Sequence, residues 1–305
     1  MSKKIILLAG PTASGKSKIA VNLAKKINGE IINTDSMQIY KEFLILSSRP
    51  NIKDKKKIKH HLYGFISARK HYSSGEWLRA AKMKIKDCHK RKKIPILVGG
   101  TGLYFNAITK GISKIPPIDK KTRQKVRSLF QLLGYRDFYK RLVNLDPKAK
   151  GKILPTDSQR TQRAYEVILK TKKSIYDWIK NTKSDFLNYD IIKIFIDIPR
   201  DRLLKNISLR TDLMFRNNCV NEVKKFNNLN LNKSLSVNKL IGVREINEYL
   251  KGSISIDQCK ELIDIKTRQY AKRQNTWARG HMLNWNKLYS KDFAHLTKKV
   301  LKVVS

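Results

Sequence analysis

Gly10-Pro11-Thr12-Ala13-Ser14-Gly15-Lys16-Ser17 is the stretch that decides the reading of this chain. An apolar run, Ile5 to Ala9, precedes it, and apolar residues at helical spacing (Ile19, Leu23, Ala24, Ile27) follow it. Strand, glycine-bearing loop and helix thus stand in the order that a phosphate loop requires. Gly10 and Gly15 let the backbone turn tightly and come close to oxygen atoms. The free amides at the helix start, and the helix dipole behind them, favour an anion. Lys16 adds a point charge for the terminal phosphate, and the Ser17 hydroxyl is the expected Mg2+ ligand. The pattern predicts a phosphate site, and the fold class it predicts is α/β, a P-loop NTPase-like parallel sheet flanked by helices.

The chain has 305 residues, with 66 Lys and Arg against 24 Asp and Glu, a formal charge of +42. Such an excess suits a polyanionic partner, because each nucleic-acid phosphate that is neutralised releases counterions. Compositional drift accounts for part of it, so charge alone names no particular nucleic acid. Cys88, Cys219 and Cys259 are scattered and show no CxxC or Cys/His spacing, which fits a reducing cytoplasm and argues against disulfides or structural zinc. No run reaches the roughly 18 apolar residues of a membrane span. A soluble cytoplasmic protein is expected.

Glu30 to Asp35 reads as a short buried strand ending in a carboxylate. Asp35 would then lie at the carboxyl edge of the sheet, where ligands bind in such folds, although a turn or helix-capping aspartate reads the same. Residues 53–59 form a basic connection, and the adjacent His60 and His61 suit packing or hydrogen bonding better than shared metal ligation. Ser73 to His89 predicts a helix with Trp77 in the core. Ile94 to Val98 predicts another buried strand, running into Gly99-Gly100-Thr101-Gly102, either a ligand approach with a hydroxyl or a plain turn. Composition shifts at Pro116-Pro117. The expected division is a first core part over 1–117, an inserted all-helical subdomain over 118–190, and a second core part over 191–305. Within it, Thr156 to Gln159 and Ser174 to Asp177 read as capping boxes, and Ile191 to Ile198 as a strand returning to the sheet. Helices follow over Arg202–Phe226 and near Lys239–Leu250. A long last helix is capped by Ser255 to Gln258 and runs to Arg279, with Gly280 as its stop.

Four segments, GPTASGKS (10–17), DSMQIYK (35–41), LVGGTGLYF (97–105) and TRQYAKRQNTWAR (267–279), together resemble the bacterial tRNA isopentenyltransferase family, the tRNA dimethylallyltransferases. They span nearly the whole chain in the family's order. The resemblance implies transfer of a dimethylallyl group from dimethylallyl diphosphate to N6 of the adenosine at tRNA position 37, beside the anticodon. Diphosphate is then a leaving group, and the phosphate loop, Gly10, Pro11, Thr12, Ala13, Ser14, Gly15, Lys16 and Ser17, need not hydrolyse ATP, although the same signature marks ATP sites. By resemblance Asp35 accepts the amine proton, Thr101 orients the substrate, and Arg210 joins Lys16 and Mg2+ at the diphosphate. Asp35, Ser36, Met37, Gln38 and Thr101 match positions that meet the everted adenine. Arg123 and Gln159, Arg160, Thr161, Gln162 and Arg163 match tRNA-contacting positions. So do Lys239, Leu240, Ile241, Gly242, Val243 and Arg244, and Lys272, Arg273, Gln274, Asn275, Thr276, Trp277, Ala278 and Arg279, though Trp277 suits packing better than stacking on a base. The resemblance implies a monomer that binds the tRNA anticodon stem-loop. The chain departs from the family's pattern at 41–50, at Asn206 where arginine is frequent, and at Val243 where tyrosine is. Two alternatives stand beside this reading: an adenylate isopentenyltransferase acting on free AMP or ATP, and an RNA-binding P-loop ATPase.

Overall fold

The computed structural model describes residues 3–50, 56, 58–232 and 234–304. Six strands form one parallel sheet in the order β3-β2-β4-β1-β5-β6. They are β1 (Lys4–Ala9), β2 (Gly29–Asn33), β3 (His60–His61), β4 (Ile94–Gly99), β5 (Asp190–Asp197) and β6 (Asn286–Tyr289). β1 sits between β4, with Leu8 opposite Val98, and β5, with Leu8 opposite Ile194. A parallel strand covered on both faces must be apolar throughout rather than alternating, which is why Ile5 to Leu8 are fully buried and legible as one run. The helices are α1 (Lys16–Lys26), α2 (Ser74–Lys90), α3 (Gly102–Thr109), α4 (Lys120–Leu145), α5 (Ser158–Thr171), α6 (Ile175–Lys180), α7 (Arg200–Arg216), α8 (Cys219–Asn227), α9 (Val243–Leu250), α10 (Ile256–His281) and α11 (Phe293–Val304).

Two compact units make up the chain. The first takes Met1–Asn106 with Asn188–Ser305, the second Ala107–Leu187. In the first, one apolar cluster packs α1, α7 and α11 against the sheet. A second gathers residues 39–46 with α8, α9 and the first half of α10. The second unit is helical, and α4 and α5 bury Val126, Phe138, Leu142, Ala164 and Tyr165 between them.

Helix ends follow the capping chemistry with some corrections. Ser73 and Ser255 open α2 and α10 with reciprocal capping boxes. α5 is capped one residue later than the sequence suggests, by Asp157 on the Arg160 amide. Ser174 caps α6 through the Tyr176 amide, while Asp177 faces Lys148 at 2.7 Å. The helix expected from Lys239 starts only at Val243, because residues 236–239 form a 3-10 turn and Gly242 is the N-cap. Gly280 does not stop α10. The helix continues to His281, whose ring stacks on Trp277 at 4.5 Å and whose Nδ1 bonds the Trp277 carbonyl. Of the basic 53–59 stretch, residues 53–55 and 57 lie outside the described residues. Among the described residues no helix is long and apolar enough to cross a membrane.

A buried polar knot ties β2 to β3 and α2. Glu30 accepts from His61 Nε2 at 2.6 Å, from Arg91 Nη2 at 2.8 Å, from Arg91 Nη1 and from the Cys88 thiol at 3.6 Å. Arg91 holds the Glu30 carboxyl at about 2, below its ordinary 4.5, against the opposing effect of burial and with help from His61. The depressed value means that this stabilisation is complete above about pH 4.5 and is lost as pH falls towards 2. Glu30→Gln is expected to cost about 3 kcal/mol at pH 7, by removing the buried carboxylate of Arg91 and leaving it the exposed Asp87 alone. Between pH 4.5 and 2.5 its Tm should fall less steeply than that of the native chain. Thermal unfolding across that range checks this, and parallel slopes for the two proteins would refute it.

Candidate active site

β1 ends at Ala9 and delivers residues 10–17 to the carboxyl edge of the sheet. α1 then begins at Lys16, with Gly15 as an N-cap at φ +82° and no side chain capping it. The first-turn amides have no partner within a helix, so an uncapped start leaves donors for an anion. Ala13 is held in the left-handed region at φ +62°, where a Cβ is unfavourable, and its carbonyl accepts from Asn206 Nδ2 at 3.0 Å. The asparagine that departs from the family's arginine thus has a defined task in shaping the loop. Lys16 Nζ donates to the Pro11 carbonyl at 3.0 Å, and Arg210 on α7 donates to the Thr12 hydroxyl. Two donors here are buried with no partner among the described residues, Ser14 Oγ and Arg210 Nε. Burial pushes the Lys16 ammonium down to about 8, opposed by the Asp35 charge and reinforced by Arg210. The Arg210 guanidinium is also pushed down, by burial, with Asp35 opposing.

Asp35 lies two residues beyond β2, and both sequence readings of it hold. Asn33 braces the turn, accepting from the Asp35 amide and donating to its carbonyl, each at 2.9 Å. Asp35 Oδ1 caps the turn by accepting from the amides of Met37 at 2.8 Å and Gln38 at 3.3 Å. Its other oxygen accepts no hydrogen bond among the described residues. The Asp35 charge reaches Lys16, Arg210 and three phenols, Tyr63, Tyr104 and Tyr270, all of which burial pushes upward. Tyr104 stacks on the fully buried Trp77 at 4.1 Å, and the Trp77 indole donates to the Asn33 carbonyl at 2.9 Å. A core tryptophan therefore sets the strand end that carries the acid.

Thr101 follows β4 to the same edge. Its amide donates to the Thr34 carbonyl at 3.1 Å, its hydroxyl accepts from the Ser36 amide at 3.0 Å, and the Tyr270 phenol lies against it. α10 crosses over both loops. Gln274 Oε1 accepts from the Thr12 amide at 2.8 Å, while its Nε2 donates to the Gly100 carbonyl at 3.0 Å. That approach requires glycines, since a Cβ would come within 2.1 Å of Gln274 Nε2 at position 100 and 2.4 Å of the Trp277 ring at position 102. Between these parts lies a cavity of about 230 Å³, bounded by Gly10, Ser36 and Thr101, with Phe105, Phe195 and Trp277 on its apolar side.

The remaining sequence candidates are dispersed. Gln38 turns away from the cavity, donating to the Ser47 and Ser48 carbonyls at 2.9 and 3.1 Å. The unusual 41–50 loop is gripped by Glu222, which accepts from the consecutive amides of Leu44, Ile45 and Leu46. Leu240 and Val243 pack into the core, whereas Lys239 and Arg244 are exposed. On α10, Lys272, Arg273, Thr276 and Arg279 are exposed, and Gln274 and Ala278 are buried. In the helical unit Arg123, Gln159 and Arg160 are exposed, Gln162 and Arg163 partly so, and Thr161 is buried against the Asp157 carbonyl. Sequence reasoning named neither Tyr63, Tyr104 and Tyr270 nor Glu222. Two of the tyrosines lie inside quoted motifs, and that adjacency was their one signal.

A parallel sheet with a phosphate loop, a carboxylate and two cations at one edge defines a P-loop enzyme of phosphate-ester chemistry. The IPP transferase family model matches residues 38–281, and the chain belongs to that family. It is 53% identical over 285 residues to the tRNA dimethylallyltransferase of Pelagibacter ubique (strain HTCC1062), covering 93% of this chain and 91% of that protein. The tRNA dimethylallyltransferase of Ehrlichia canis (strain Jake) is 42% identical over 281 residues, covering 92% and 93%. Among solved structures, a eukaryotic dimethylallyltransferase acting on tRNA is similar at a TM-score of 0.83 and 28% identity, covering 96% of this chain and 75% of that one. The full-length tRNA isopentenylpyrophosphate transferase of Bacillus halodurans gives 0.71 and 29%, covering 99% and 95%.

The lowered Lys16 value has a measurable consequence. Folding forces an ammonium into a place that disfavours it, so the ligand-free protein is destabilised at every pH below about 8. Lys16→Met is expected to raise the Tm of the ligand-free protein at pH 7 by about 2 °C or more and to abolish the further rise that inorganic pyrophosphate gives the native chain. A lower Tm for the variant, or an undiminished pyrophosphate shift, would overturn this account.

Proposed function

We propose that the chain transfers a dimethylallyl group from dimethylallyl diphosphate to the N6 amine of the adenosine at tRNA position 37, releasing diphosphate. The observation that carries this reading is a set of unsatisfied groups at the carboxyl edge of the sheet: one free carboxylate oxygen on Asp35, and buried donors on Ser14 and Arg210 that lack acceptors. A diphosphate supplies acceptors for the donors, and an amine supplies a proton for the carboxylate. The Pelagibacter and Ehrlichia relatives bear the name of this activity.

The adenine amine is a weak nucleophile because its lone pair is delocalised into the ring. As its nitrogen bonds to the first carbon of the prenyl chain, the carbon–oxygen bond to diphosphate breaks and the electron pair leaves with oxygen. The amine proton passes to Asp35, a general-base step. Lys16, Arg210 and the uncapped amides of α1 meet the charge that grows on the leaving group. The exposed Ser17 hydroxyl at the start of α1 is an oxygen donor of the kind Mg2+ takes. Mg2+ held there would supply further charge to the diphosphate. The apolar side of the 230 Å³ cavity suits a branched five-carbon chain or the face of a purine. Thr101 and Tyr270 offer hydroxyls to orient what enters. Single-stranded loops give up a stacked base at modest cost, so the anticodon loop is the part of tRNA suited to this site. The excess of basic residues, including the exposed cations of α10, favours a polyanion over a free nucleotide. We further infer that the protein acts as a cytoplasmic monomer.

Radiolabelled dimethylallyl diphosphate, offered with tRNA or with AMP, tests the substrate. Label in tRNA is the expected outcome. Label in AMP alone, or ATP hydrolysis without transfer, would reject it. Asp35→Asn is expected to keep pyrophosphate affinity within about twofold and to lose about 10²–10⁴-fold in single-turnover transfer. Normal turnover by that variant would remove Asp35 from the role of base.

A further inference from the structure

A second and larger cavity, of about 710 Å³, adjoins the site just described, sharing Phe195 and Ala278 with it and taking Arg268, Lys272, Asn275 and Arg279 from another face of α10. It lies wholly within the first unit, between the end of β5, α7, α10 and β6. Its floor is aliphatic and aromatic, formed by Phe195, Leu203, Leu204 and Ile207. Its rim carries Arg200, Arg268, Lys272, Arg279 and Lys287, all exposed, and none of the five has an ion-pair partner among the described residues. Two residues of its wall carry acceptors. Asn275 Oδ1 is buried and receives no hydrogen bond. Asp197 is half-buried, and burial raises its carboxyl, with Arg279 and Lys287 opposing.

These three features call for one ligand chemistry. The cations want phosphate, the floor wants a flat or apolar body, and the orphaned acceptor wants an N–H or O–H. A prenyl diphosphate would satisfy the first two and leave the Asn275 oxygen unserved, at a cost of about 1–3 kcal/mol for a buried acceptor. A nucleotide satisfies all three, since its base and ribose carry the donors. α7 stands between this cavity and the phosphate loop. Asn206 and Arg210 turn to the phosphate loop, while Arg200, Leu204 and Ile207 lie a quarter-turn round the helix, on the cavity.

We propose that this cavity is a second nucleotide-binding site, distinct from the phosphate loop, with the base or ribose on the Leu203–Ile207 floor and phosphate on the cationic rim. Where the nucleotide belongs to the RNA strand, the site is a second anchor beside the reacting base, and this part of the inference rests on the function proposed above. Where it is free in solution, the site takes a mononucleotide independently of that function.

Leu204→Trp fills the cavity from a half-buried position, and Arg200→Glu reverses one charge of its rim. Both variants are measured beside the native chain for three affinities: an anticodon stem-loop by fluorescence anisotropy, AMP by calorimetry in a Lys16→Met background that disables the loop, and pyrophosphate as a check on the loop and the fold. For a strand nucleotide, both variants weaken the stem-loop at least tenfold, leave pyrophosphate unchanged, and raise KM for tRNA with kcat preserved. For a free nucleotide, AMP binds the Lys16→Met protein, each variant weakens it at least tenfold, and stem-loop affinity is unchanged. Stem-loop and AMP affinities that both stay within twofold in both variants would overturn the proposal. Native protein that binds stem-loop or AMP in this variant-sensitive way but transfers no label would instead reject the proposed activity and keep the site.

Discussion

One side-chain amide holds the working edge of this molecule together. Gln274 takes the Thr12 amide with its oxygen and gives its nitrogen to the Gly100 carbonyl, so that α10 fastens the loop after β1 to the loop after β4. The strands that lead into these loops are paired, Leu8 beside Val98 and Ala9 beside Gly99. The glycines at 100 and 102 are the counterpart of the bridge, since any side chain there would push α10 away. The same helix carries exposed Lys272, Arg273 and Arg279 on its outer surface. The element that sets the phosphate loop is thus also the one that displays these cations.

The loop itself is kept in a state that folding alone would not choose. Ala13 has a left-handed backbone, Ser14 Oγ and Arg210 Nε lack acceptors, and the Lys16 ammonium sits where burial works against its charge. Each of these costs stability, and an anion of the right shape would relieve the orphaned donors and the buried charge, though not the backbone of Ala13. The large apolar body of the sheet, with α1, α7 and α11 against it, provides the stability that this arrangement needs.

The sheet and its edge were legible because both obey local rules. Continuous apolar runs mark β1, β2 and β4, and glycine loops at their ends mark the phosphate loop and residues 99–102. The third participant, Asp35, could be placed by its strand but not assigned, because capping a turn and facing a ligand use different oxygens of one carboxylate. β3 and β6 left no such trace. β3 has two residues, and β6 is an edge strand of which three residues are exposed, so neither needs a hydrophobic pattern. The helix expected to be the last is followed by another, α11, whose stripe of Leu296, Val300 and Val304, all buried, was there to be read and was missed. The start of α9 and the end of α10 were misplaced because tertiary contacts decide them: Gly242 packs close to Leu46, and His281 stacks on Trp277. The grouping of Tyr63, Tyr104 and Tyr270 could not be read beyond the motifs that hold two of them, since three distant segments bring it together.

That grouping limits how a catalytic cycle can end. Burial keeps all three phenols protonated across the ordinary pH range, and below about pH 8 the Lys16 ammonium is full as well. If Asp35 takes a proton in the proposed transfer, these four neighbours are already protonated and would not take it on. The proton would then go to water or depart with the diphosphate, and restoring the acid would be coupled to emptying the site.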